Sequence, residues 1–319
     1  MKKKRTIIAV GDICLDIKTD PLSGFTLGDR QFRVNNIELS VGGNSANFAL
    51  GASNLGLPTR LIACCGKDAI GRWLRRTMKM NRVRCIFKTP REQCRKNTAL
   101  TSAITYGLAH EDGTRQMISY NGPNLLLGAD MIDKSIIRKA GHVHRSGYWW
   151  SPKMQGEPTA RMMKFAQSNG AETSLDIGTD PDGWTSQHTE SIYKVLEYTD
   201  IFFANETELR CTTGKNDVRK AAEDILCTGV KIVAIHRGPN GTDVVTKIER
   251  VHAEAFSIKP LNPIGSGDIY NAGFVYGRMM NWGIEMTAKF ANACAAYYLE
   301  RTKNPYPSAS AVISRFMVE

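Results

Sequence analysis

The sequence has no paired C-x-x-C spacing, no Gly-x-x-x-x-Gly-Lys-Ser/Thr run, no internal repeat and no low-complexity tract. Each absence removes a class. The eight cysteines (Cys14, Cys64, Cys65, Cys85, Cys94, Cys211, Cys227, Cys294) are scattered, mostly within apolar runs. That pattern excludes a zinc ribbon and a secreted disulfide scaffold, and it predicts small buried hydrophobes in a reducing cytosol. No segment approaches the roughly 18 uninterrupted apolar residues of a membrane span. The apolar stretch behind the basic start Met1-Lys2-Lys3-Lys4-Arg5 ends at Asp12, too short for a signal peptide. The expectation is a cytoplasmic protein with no membrane partner. Zinc-finger spacing and RNA-binding aromatic motifs are also missing. The excess of 42 Lys and Arg over 31 Asp and Glu, a formal +11 in 319 residues, is dispersed. It reads as a basic surface that attracts nucleotides or sugar phosphates, not nucleic acid.

What the sequence does have is a series of short apolar runs that end in Gly, Asp or Asn and lead into helix-period segments. They are Thr6–Val10 before Gly11-Asp12, Arg60–Cys65 before Gly66, and Thr173–Leu175 before Asp176, then Asp200–Ala204 before Asn205 and Lys231–Ile235 before Gly238. Alternating strands and helices predict an α/β fold whose mainly parallel sheet is covered on both faces, with ligands bound beyond the strand carboxyl ends. Two regions break the alternation. Residues 17–41 hold Pro21, Gly24, Gly28 and a period-two segment Gln31–Leu39; residues 97–121 hold Thr101–Tyr106 and Arg115–Tyr120 around the turn Glu111-Asp112-Gly113-Thr114. Paired, they would form a small β-sheet lid that excludes water; unpaired, an ordinary peripheral hairpin. The chain is expected to be one domain over residues 1–319. A homodimer through exposed lid edges is expected as well.

The densest motif is Gly265-Ser266-Gly267-Asp268, after Asn262-Pro263-Ile264 and before apolar residues at 269, 272, 276, 279 and 280 in helical spacing. It therefore lies at a helix N-terminus. Unpaired backbone N–H groups and the positive end of the helix dipole favour an anion there, and glycine lets phosphoryl oxygens approach. A carboxylate on the first turn is placed to accept a proton from an incoming hydroxyl. A plain N-cap is the alternative. Further motifs are Val41-Gly42-Gly43-Asn44-Ser45-Ala46-Asn47, Gly66-Lys67-Asp68 with Gly71, Asn205-Glu206-Thr207-Glu208, and Gly238-Pro239-Asn240-Gly241. Asn44 and Asn47 each both donate to and accept from vicinal hydroxyls. Asn205 and Glu208 are an oxygen-rich pair suited to Mg²⁺, or a helix-start capping pair. His142 and His144 share a strand face, but no third ligand is near, which points to a structural role.

In order and spacing these motifs resemble the ribokinase or PfkB family of carbohydrate and nucleoside kinases, over nearly the whole chain. The resemblance implies a ribokinase-like three-layer fold with a small β-sheet lid, and an ATP- and Mg²⁺-dependent kinase acting on a sugar or sugar-like hydroxyl. It implies Asp268 as catalytic base, with the amides of Gly265, Ser266 and Gly267 stabilising the transferred phosphoryl group. Asp16, Gly43, Asn44 and Asn47 would hold the acceptor. Asn205, His236, Gly238, Gly241 and Asn292 would contact ATP, and Glu208 would act on Mg²⁺ through water. His236-Arg237-Gly238 departs from the family's Thr-x-Gly. Asn262-Pro263 replaces its Asp-Thr and Thr302-Lys303-Asn304 its late glycine, which argues against monovalent-cation activation. A nucleoside or a sugar phosphate remains an alternative acceptor, the latter needing basic groups, for which Arg30, Arg33, Arg115 and Arg145 are candidates. A non-catalytic ligand sensor of the same fold is the alternative of a different class.

Overall fold

The structure is a computed structural model that describes residues 6–20, 22, 31–88, 101–110, 115–261, 264–301 and 305–317. Its strands are β1 (Thr6–Val10), β2 (Cys14–Thr19), β3 (Ile37–Gly42), β4 (Thr59–Cys64), β5 (Arg84–Lys88), β6 (Ile104–Ala109), β7 (Arg115–Tyr120), β8 (Ala140–Arg145), β9 (Glu172–Asp176), β10 (Ile201–Asn205), β11 (Ile232–His236), β12 (Thr242–Thr246) and β13 (Arg250–Ala253). Nine form one sheet in the order β13-β12-β11-β10-β9-β8-β1-β4-β5, parallel from β5 through β11, with β12 and β13 adding an antiparallel edge.

The parallel strands are apolar on both faces because both are covered. Ile7, Ala9, Leu61 and Phe203 point into one core, under helices Asn44–Asn54, Ser266–Met279 and Ile284–Leu299. Ile8, Val10, Ile62 and Phe202 point into the other, under helices Glu157–Ser168, Ser186–Leu196, Glu206–Thr213 and Val218–Cys227. This is the expected three-layer arrangement. The chain winds outward from β1 in both directions, so β1 and β8 flank the crevice where such sheets bind ligands.

A second, four-stranded sheet runs β3-β2-β6-β7, and its β2–β6 pairing joins the two regions that break the sequence alternation. Two boundaries differ from expectation. The period-two segment Gln31–Leu39 becomes a strand only from Ile37, because all six residues of β2 are paired with Ile37–Gly42. The strand expected at Thr101–Tyr106 begins at Ile104, since the Ser102 backbone and hydroxyl are bound to Asp68, the cap of helix Ala69–Met80. Residues 21, 23–30, 97–100 and 111–114 of the expected lid lie outside the described residues. Cys14, Cys64, Cys65 and Cys294 are buried as anticipated, whereas Cys227 is exposed. No described helix is long and apolar enough to cross a membrane.

Candidate active site

Helix Ser266–Met279 starts from Gly265, whose φ of 86° is a left-handed conformation that glycine adopts without strain. A Cβ there would stand 3.0 Å from Asn47 Nδ2 and 3.1 Å from the Tyr298 hydroxyl. The turn delivers Ser266, Gly267 and Asp268 as the first helical residues, with Asp268 buried. Its two carboxylate oxygens accept from Asn44 Nδ2 and Asn47 Nδ2, each at 3.2 Å. In this structure the two asparagines thus clamp the carboxylate of Asp268. Burial, with the nearby charges of Asp176 and Asp12, holds the Asp268 carboxyl well above the usual carboxylate range.

Asn44 and Asn47 open helix Asn44–Asn54, which is capped from a distance. The side chain of Asp12, just past β1, accepts from the backbone N–H of Asn44 at 3.2 Å and of Ser45 at 3.0 Å. Gly43 makes the approach possible: at φ 93° it passes so close that a Cβ would sit 2.9 Å from the Asp12 carbonyl. Asp16, on β2, is buried with its carboxylate over Gly42, where no side chain would fit. Burial raises the carboxyls of both Asp12 and Asp16.

At the end of β10, Asn205 and Glu208 form a reciprocal capping box. Glu208 N–H donates to Asn205 Oδ1 at 2.8 Å, and Asn205 N–H donates to Glu208 Oε2 at 2.9 Å. Glu208 Oε1 also accepts from the Thr179 hydroxyl at 3.0 Å. Asp176, at the end of the neighbouring β9, is pushed up to about 7 by burial and by the charge of Glu208. Burial raises the Glu208 carboxyl too, and two buried acidic groups with oxygen lone pairs to spare suit a hard divalent cation.

Asp176 is also hydrogen-bonded by Asn271 Nδ2, whose Oδ1 accepts from His236 Nε2 at 3.1 Å. His236 lies against the Gly265–Gly267 turn, its ring 3.5 Å from where a Gly267 Cβ would be. Burial pulls its imidazole down to about 4, so it is neutral at physiological pH. Gly238 and Gly241 bound the turn between β11 and β12. Asn292 is buried with its amide engaged, accepting from Thr242 Oγ1 and donating to the carbonyls of Ala253 and Glu254.

Sequence reasoning left out Asp12, Asp176 and Asn271 as site residues. Each had a signal: the two aspartates close apolar strands, and Asn271 follows Asp268 by one helical turn, on the same face. Among the candidate phosphate binders, Arg145 is a correction. It is fully buried, donating to the carbonyls of Val10, Ser146 and Tyr148, so it faces no ligand and serves as a countercharge behind Asp12. Arg33 is exposed, Arg30 lies outside the described residues, and so does the side chain of Arg115. Asn262-Pro263 and Thr302–Asn304, on which the monovalent-cation expectation rests, are outside them too. His142 and His144 are structural, sharing the Ser174 hydroxyl at 2.7 Å each in the core.

A three-layer α/β fold with a small accessory sheet, and a buried carboxylate behind a glycine turn at a helix N-terminus, defines a small-molecule kinase. Residues 4–308 match the model of the pfkB family of carbohydrate kinases, and the chain belongs to that family. It is similar to the 5-dehydro-2-deoxygluconokinase of Geobacillus kaustophilus, 27% identical over 303 residues that cover 92% of this chain and 88% of that one. Among solved structures it resembles a ribokinase II of E. coli in complex with ATP and Mg²⁺, with a TM-score of 0.83, 22% identity and coverage of 97% and 98%. It also resembles the ribokinase of Arabidopsis thaliana complexed with ribose and ATP, with a TM-score of 0.79, 20% identity and coverage of 98% and 99%.

Proposed function

We propose that this kinase transfers the γ-phosphoryl group of ATP to a hydroxyl of a sugar or sugar derivative, with Asp268 as the base. The observation that carries the reading is the Asp268 carboxylate, buried on the first turn behind Gly265–Gly267 and oriented by Asn44 and Asn47. Its raised proton affinity suits a group that must take a proton from an alcohol. As the acceptor oxygen bonds to phosphorus, the O–H proton passes to Asp268 and the bond to the ADP oxygen breaks. The helix N-terminal N–H groups face the charge on the group in transit. Asp16 and Gly43 hold the acceptor, while the turn Gly238–Gly241 with His236 and Asn292 borders the nucleotide. Asp176 and Glu208 would hold Mg²⁺, which when bound supplies charge neutralisation at the phosphates. The small sheet would cover the acceptor as a lid.

The outward face of that sheet supports a homodimer. Cross-strand register puts Ile37, Leu39, Tyr106, Ile118 and Tyr120 on one side, and all five are exposed. An apolar patch of this kind marks an interface. Sedimentation at several concentrations should show a dimer that Leu39→Glu with Ile118→Glu dissociates.

ADP release measured against a panel of neutral sugars, nucleosides, sugar acids and sugar phosphates tests the kinase reading. Asp268→Asn should lower turnover by about 100-fold or more with ATP binding kept. Full activity in that variant would sink the assignment of the base.

A further inference from the structure

A cavity of about 280 Å³ opens between the small sheet, helix Ala69–Met80 and the end of helix Ile284–Leu299. Its chemistry comes from Lys18, Glu38, Trp73, Tyr298, Arg301 and Tyr306. Lys18 is about nine-tenths buried, yet its ammonium makes no hydrogen bond or close ion pair with the described residues. Glu38 stands opposite it in the β2–β3 register without closing such a pair. Lys18 thus brings to the cavity wall a cation whose charge is felt by Asp16 but which no carboxylate of the described residues meets in a close ion pair, and an anion in the cavity would give it a direct partner. Arg301 adds a second cation, its guanidinium stacked 3.6 Å from the Tyr297 ring centroid. The carboxylate nearest it, Glu300, also serves Arg315.

The cavity adjoins the reaction centre. Tyr306 donates to Asn47 Oδ1 at 3.2 Å, and Asn47 in turn holds Asp268. Tyr298 donates at 3.1 Å to the carbonyl of Ile264, the residue before Gly265. Lys18 follows Asp16 by two residues on the same face of β2, a step of about 6.6 Å along the strand, comparable with the length of a five- or six-carbon chain. Trp73 and the two tyrosines give the apolar faces of such a chain something to pack on.

We propose that this cavity receives the anionic end of the acceptor, the carboxylate or phosphate of an acidic sugar, with Lys18 and Arg301 as its recognition groups. The proposal rests on the sugar-kinase reading and narrows it to charged acceptors. Glu38 is left to accept hydrogen bonds from the hydroxyls of the chain.

The test compares neutral aldoses, aldonic and uronic acids and sugar phosphates as acceptors for the full chain and for Lys18→Met, Lys18→Arg and Arg301→Met. Binding of the same sugars to Asp268→Asn is followed by calorimetry, and thermal unfolding checks that each variant is folded. A charged acceptor should be preferred over its neutral parent. Lys18→Met should raise its KM about 10- to 100-fold, the worth of one charge-assisted contact, with the KM for ATP unchanged and with rescue by Lys18→Arg. Preference for acids over phosphates, or the reverse, identifies the anion. A neutral acceptor used best, or a charged preference that survives both Met substitutions, overturns the proposal and leaves the kinase reading standing. Anion binding that depends on Lys18, without phosphorylation of any acceptor, upholds the cavity and overturns the kinase reading instead.

Discussion

Asn271 joins Asp176 to His236 through a single amide, donating from Nδ2 to the carboxylate and accepting at Oδ1 from the imidazole Nε2. The arrangement fixes the Nε2–H tautomer of His236 and leaves Nδ1, on the side of Gly267, without a proton. His236 therefore presents an acceptor, not a donor, toward the glycine turn before Asp268.

Asn271→Ala would strip both neighbours of a buried partner. The expected loss is about 1–3 kcal/mol of stability, the usual cost of leaving such groups unsatisfied, together with a raised KM for ATP. Chemical denaturation and initial-rate kinetics check the two parts separately.

Asn47→Asp replaces a donor to Asp268 with a second acid. Two carboxyls at that distance cannot both ionise readily, so the proton affinity of the pair rises. Turnover at neutral pH should fall about 10-fold or more, and the acid limb of the kcat/KM profile should move to higher pH. An unshifted profile would mean that Asn47 does not act on the proton affinity of Asp268.

Arg145→Met leaves Asp12 buried without its countercharge. It also strips the carbonyls of Val10, Ser146 and Tyr148 of a fully buried donor, and leaving such groups unsatisfied costs about 1–3 kcal/mol. The strain would appear at the start of helix Asn44–Asn54, which Asp12 caps. Denaturant titration should show the loss, and hydrogen exchange should place it at that helix terminus.

Stability should fall in mild acid because of His144. Its imidazole is stacked on Phe48 at 3.7 Å, fully buried, and burial holds its proton affinity well below the usual histidine value. The unfolded chain therefore binds the proton first. The contribution is fully present above about pH 6.5 and is lost as the pH drops below it, by up to about 1.4 kcal/mol per pH unit. Thermal unfolding from pH 8 to 5 measures the slope, which His144→Phe should reduce.

The parallel strands were legible because a strand covered on both faces must be apolar throughout, and each ends at a Gly, Asp or Asn that the chain can turn on. The antiparallel edge β12–β13 was not: Thr242, Asp243, Arg250 and His252 interrupt the apolar pattern there, and Asp243 gathers Arg237, Arg250 and His252 around itself. Asp268 was legible from its glycine turn. The clamp on it was half legible, since Asn44 and Asn47 are recognisable as amides but not as partners of a carboxylate more than 200 residues away. Arg145 shows the limit most sharply: a charge in sequence carries no mark of whether it faces solvent or a buried carbonyl.

Helix Ser266–Met279 carries Asp268 at one end and is seated in its middle on helix Ile284–Leu299, where Gly273 leaves room for the Cys294 sulfur only 2.9 Å from where a Cβ would lie. Burial keeps that thiol protonated and out of reach of reagents, while Cys227 stands exposed on the far layer. The molecule thus contains its own pair of chemical clocks: labelling at Cys227 times the intact surface, and labelling at Cys294 times the lifting of the helix that bears Asp268.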